Sequence, residues 1–71
     1  MTVKNFLSVV HDCQWVCVED NDYEVFAEGE AQELRTSKGI AGLNVVSAYV
    51  GNRSNMDCFV VIAERRAKKT W

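Results

Sequence analysis

Apolar residues are spaced in two different ways along this chain, and the change of spacing divides it into elements. Val3, Phe6, Leu7 and Val10 recur at i, i+3, i+4 and i+7, one stripe of an amphipathic helix. Thr2 stands just before the stripe, where a hydroxyl can accept a backbone N–H of the first turn. The pattern changes near Asp12. Residues 14–19, QWVCVE, and 23–28, YEVFAE, alternate with the period of strands, and Asp20-Asn21-Asp22 between them is turn chemistry. This reads as a β-hairpin.

Gly29 then ends the hairpin and caps a helix over 30–38, EAQELRTSK, in which Glu30 and Glu33 suit the positive dipole end. Gly39 is placed to terminate it in a left-handed conformation, with Ile40 making the accompanying apolar contact. Residues 43–50, LNVVSAYV, and 56–64, MDCFVVIAE, form a second hairpin around the loop GNRSN. The expected fold is α+β in the order α-β-β-α-β-β, with a four-stranded, mainly antiparallel sheet and helices on one face. Residues 1–64 are expected to form one domain, and 65–71 a basic, flexible tail.

Both hairpins are apolar on more than one face. If Val16, Val18, Tyr23 and Val25 face the helices, then Trp15, Cys17 and Phe26 face away. Val45, Val46, Ala48, Tyr49 and Val50, with Phe59, Val60, Val61 and Ile62, leave no clean polar side in the second hairpin. Two short helices cover one face only, so the spare face calls for a second copy or another protein. The bland alternative is that the strands curl enough to bury both sides.

Composition narrows the class. At 71 residues and 48% hydrophobic, the chain holds one small core and enough apolar side chains to order it. Three cysteines are an odd number, and their spacing is not a disulfide framework, which points to a reducing, cytoplasmic setting. The amino terminus lacks the pattern of a signal peptide, and no run approaches the roughly 18 apolar residues of a spanning helix.

The chain's net charge is −2, but it is segregated. Residues 1–64 hold all ten acids against Lys4, Arg35, Lys38 and Arg53, whereas 65–71, RRAKKTW, hold four basic residues and no acid. Between residues 19 and 33 stand seven acids, Glu19, Asp20, Asp22, Glu24, Glu28, Glu30 and Glu33, with no Lys or Arg. A solvated hairpin tip is the bland account of that run. The sharper account is a docking surface for a basic partner, with Glu19, Asp20, Asp22 and Glu24 selecting it and Trp15 and Phe26 as anchors. The tail offers the competing reading. Arg65, Arg66, Lys68 and Lys69 could contact phosphates, giving weak, salt-sensitive nucleic-acid binding.

His11, Cys13, Cys17 and Cys58 contain the atom types of a zinc site, but not the spacing. In an extended strand Cys13 and Cys17 lie about 13 Å apart, whereas zinc–sulfur bonds are about 2.3 Å. Small apolar strand residues are the commoner role. A Cys–His nucleophile pair would lack an orienting third group, and no CxxC is present. No metal, no cofactor and no enzymatic activity are expected. His11 falls where a cation would close the first helix.

The run from Tyr23 to Leu34, YEVFAEGEAQEL, followed by Val45-Val46-Ser47, resembles small, mostly uncharacterised accessory proteins of phages and prophages of Gram-positive bacteria. The resemblance spans residues 3–62 and rests on a helix, a hairpin ending in G-x-A-x-E-L and a V-V-S element. It implies a phage-borne accessory protein rather than a known activity. Small acidic phage proteins often bind and block a host enzyme, defence nucleases included, as an anti-CRISPR does, and the acid-and-aromatic hairpin fits that role. A homodimer through the spare sheet face is the structural alternative, testable at Trp15.

Overall fold

The computed structural model describes residues 1–22, 24–53 and 56–64. Helix α1 (Val3–Ser8) precedes strands β1 (Trp15–Glu19) and β2 (Val25–Glu30). Two single-turn helices follow, α2 (Ala31–Leu34) and α3 (Lys38–Ala41), and the chain closes with β3 (Asn44–Arg53) and β4 (Met56–Glu64). The fold is α+β.

Thr2 Oγ1 accepts the N–H of Asn5 at 3.2 Å, so the hydroxyl caps α1 as its position in the sequence suggests. Val3 and Leu7 of the stripe are buried, and Phe6 meets Phe59 edge-on with ring centroids 6.1 Å apart. The single helix expected over 30–38 is two. Its cap is Glu30 rather than Gly29: the Glu30 carboxylate and the N–H of Glu33, and reciprocally the Glu33 carboxylate and the N–H of Glu30, form a capping box. Gly29 lies within β2 at φ 155°, and it is the one glycine with positive φ among the described residues. Gly39 is an ordinary helical residue inside α3, with Ile40 buried beside it.

The sheet order is β2-β1-β4-β3. Each hairpin is antiparallel, but β1 and β4 run parallel at the centre, Val16 beside Phe59 and Val18 beside Val61. The sheet is therefore mixed, two antiparallel ladders joined by a parallel one. The second hairpin is longer than expected, since β3 continues through Gly51, Asn52 and Arg53 of the GNRSN segment. Ser54 and Asn55 lie outside the described residues.

The helices pack on one face. Val3, Leu7, Ala31, Leu34 and Ile40 form a single buried cluster with Val16, Val18, Val61 and Ala63. Strand alternation puts Cys17, Cys58 and Val60 on the opposite face, yet each is at most 1% exposed. The expectation that this face must be covered by another molecule is therefore corrected at its centre, where the chain itself buries these side chains. Trp15 and Ile62 on that face are half-buried. Apolar side chains stay exposed toward the margins, at Val9 just after α1, at Val25 on β2, and at Val46, Tyr49 and Val50 on β3, with Tyr49 on the same face as its neighbour Val60.

Candidate functional site

The acidic segment forms one edge of the molecule. Among the described residues β2 has a single strand neighbour, β1, and no strand pairs with its other side. The turn that presents it is built by Asp20, whose Oδ1 accepts the N–H groups of Asp22 at 2.7 Å and Glu24 at 3.0 Å. The Asp20 N–H in turn donates to the Glu24 carbonyl at 3.0 Å. This is the Asx chemistry that favours Asp at turns. It gives the half-buried Asp20 a structural task, leaving Asp22 and Glu24 exposed beside it.

Glu19 has a different fate. It is 3% exposed, and its Oε2 lies 3.3 Å from the Cys17 Sγ, which also lies 3.9 Å from the exposed Glu28 carboxylate. A thiol donating toward carboxylates satisfies part of a carboxylate's demand in a site poor in water. Glu19 is thus held within the sheet's away face and is not offered to a partner.

The aromatic anchors also differ from expectation. The β1–β2 register shifts between Val18 and Glu19, so that Glu19 faces Val25 while Val18 faces Ala27. Phe26 is the extra residue of this bulge. It packs against the helix-side core instead of facing away with Trp15. Val25 is displaced outward, 49% exposed. Trp15 remains half-buried, opposite Glu30. The structure therefore gathers Asp22, Glu24, Val25 and Glu28 along the β2 edge. It separates Glu19 and Phe26 from that row. Val25 escaped sequence reading because a bulge leaves no mark on an alternating pattern. Tyr23 and the tail residues Arg65, Arg66, Lys68 and Lys69 lie outside the described residues.

His11 does not close α1. That helix ends at Ser8, and the His11 Nδ1 accepts the N–H of Cys13 at 3.1 Å. The cation at the helix end is Arg35. Its Nε donates to the Leu7 carbonyl at 2.9 Å and a terminal nitrogen to the Val10 carbonyl at 2.5 Å, while the other pairs with Asp12. That pairing holds the Asp12 carboxyl below its ordinary range, through the Arg35 hydrogen bond first and its charge second. Cys13 is exposed in the turn before β1, whereas Cys17 and Cys58 are buried in the sheet. Among the described residues, no three His, Cys, Asp or Glu side chains converge as a metal site would require. No described helix is long and apolar enough to cross a membrane.

On the helix-bearing face, at the β3 end of the sheet, α1 and β3 leave an open apolar groove of about 520 Å3 between Phe6, Val9, Val10, Val50 and Phe59, with His11 and Gln14 at its margin. No family model, no curated protein and no solved structure matches the chain.

Proposed function

We propose that this chain is a non-enzymatic protein-binding module that docks a basic protein surface along its β2 edge. The observation that carries this reading is the composition of that edge. Asp22, Glu24 and Glu28 are exposed around an exposed Val25, in a segment whose sequence from 19 to 33 contains no Lys or Arg. Carboxylates alone would be explained as protection of an edge strand against unwanted pairing. A half-exposed valine among them weakens such protection and gives a partner an apolar contact, with the acids steering encounter and selecting against acidic surfaces.

The resemblance to phage accessory proteins suggests the service such a module would perform, inhibition of a host protein. A defence nuclease has the chemistry to be its target, because a protein that holds nucleic acid presents the cations this edge would meet.

The test is capture from bacterial lysate, with and without nuclease treatment, by the immobilised protein and by a variant carrying Glu24→Lys and Glu28→Lys. A protein retained by the wild type, released by moderate salt and not retained by the variant supports the reading. Retention that survives charge reversal contradicts it. Retention that disappears with nuclease treatment also contradicts it, and assigns binding to nucleic acid and the basic residues Arg65, Arg66, Lys68 and Lys69.

A further inference from the structure

We propose that the other edge of the sheet, β3, is a self-pairing interface, and that the protein forms a two-fold dimer by antiparallel addition of one copy's β3 to the other's. The two edges of this sheet are opposite in character. β2 is short, bulged and acidic. β3 spans Asn44 to Arg53, and no charged residue occurs in it before Arg53. An edge strand displays unpaired backbone donors and acceptors, and the usual safeguards are charge, proline, short length or a bulge. β3 has only the last, at Val46, where its register against β4 shifts between Val45 and Ser47.

The beginning of β3 is already covered within the chain. Thr2 bridges Asn44, the Val45 N–H donates to the Met1 carbonyl at 2.8 Å, and the Val3 N–H to the Leu43 carbonyl at 2.9 Å. These contacts show that the outer side of β3 accepts an antiparallel neighbour, and among the described residues nothing pairs with that side from Val46 onward. That span carries Val46 at 52%, Tyr49 at 48% and Val50 at 67% exposure. Val9, just after α1 and 79% exposed, stands with Val50 at the groove. The exposed apolar surface thus borders the open backbone edge.

Charge selects a second copy as the occupant. A two-fold antiparallel pair must bring one residue opposite itself, and the middle of the open span falls at Tyr49 and Val50. An axis there sets Ala48, Tyr49, Val50 and Gly51 against the same neutral segment. The Arg53 positions fall at the two far ends of the interface, so like charges do not meet. The same operation at β2 would bring Glu24 and Glu28 toward their own copies, which like-charge repulsion disfavours. Pairing at β3 alone closes after two copies. It also leaves both acidic edges open, one at each end of a continuous eight-stranded sheet.

Sedimentation velocity from micromolar to millimolar protein tests this, with Val50→Glu, Val25→Glu and Trp15→Glu beside the wild type. All three sites are at least partly exposed, and far-ultraviolet circular dichroism checks that each variant is folded. Expected are a dimer for the wild type, Val25→Glu and Trp15→Glu, and a folded monomer for Val50→Glu. Hydrogen exchange adds a readout that needs no variant: amides from Ser47 to Asn52 should slow as concentration rises. A wild type that is monomeric throughout overturns the proposal. So does a dimer that Val50→Glu leaves intact, a dimer broken by Trp15→Glu instead, or open-ended polymers, which would mean that β3 pairs with β2.

Discussion

Arg35 and Asp12, 23 positions apart in the chain, are joined by an ion pair that also fastens the end of α1. The guanidinium donates to the carbonyls of Leu7, in the last turn of α1, and of Val10, just beyond it, and its charge meets the negative end of the helix. Removing it as Arg35→Ala should destabilise the protein by about 2 kcal/mol, the scale of charged hydrogen bonds at a helix terminus. Arg35→Lys should recover little, because a point charge cannot reach both carbonyls and Asp12 at once. Urea unfolding of the two variants measures this.

The same pair gives a pH dependence. Asp12 has a folded-state pKa below its ordinary value of 3.8, so its ionised form is favoured by folding. The resulting stabilisation is present above that value and is lost as pH falls through the lower folded-state value. Asp12→Asn should therefore lower Tm near neutral pH by a small amount, since the carboxylate is exposed, and the two proteins should converge in strong acid. A difference that widens in acid would contradict the assignment. Calorimetric Tm from pH 7 down to strong acid decides it.

Two glycines should respond oppositely to alanine. At Gly29 the backbone is at φ 155°, and an added Cβ would lie 3.0 Å from the Glu33 Oε1 of the capping box. Gly29→Ala should cost about 1–3 kcal/mol through backbone strain and a disturbed cap. Gly39 lies inside α3 with nothing within 4 Å of such a Cβ, so Gly39→Ala should be neutral or stabilising by up to about 1 kcal/mol. Denaturant midpoints of the two variants report both.

The cysteines should separate by rate. A thiol reagent should modify Cys13 quickly in the native protein, because it is exposed. Cys17 and Cys58, at 1% and 0% exposure, should react only as the sheet opens. Timed labelling read by mass spectrometry distinguishes one fast site from two slow ones.

The parts of this molecule that sequence reveals are those decided by neighbours in the chain. The stripe Val3, Leu7 and Val10, the Thr2 cap and the full extent of β4 follow from local spacing. The turn at Asp20-Asn21-Asp22 follows from Asx chemistry. What was hidden depends on distant partners. No local pattern says that β1 and β4 lie side by side in parallel, and that pairing buries Cys17 and Val60 together. The bulge at Phe26 exchanges the faces of Phe26 and Val25, which moves the anchor of the candidate surface from an aromatic residue to a valine. Arg35 reads as a surface charge until its carbonyl partners on α1 are seen. The break between α2 and α3 is likewise invisible to composition, since residues 30–38 contain no proline.

The proposed function places partner binding at the acidic β2 edge. Hydrogen–deuterium exchange of the protein alone and bound to the species it captures tests this most directly. Docking at this edge should slow exchange only at residues 20–30, and less so when Glu24 and Glu28 are reversed to lysine. Slowed exchange at residues 44–53 with 20–30 unchanged would contradict it.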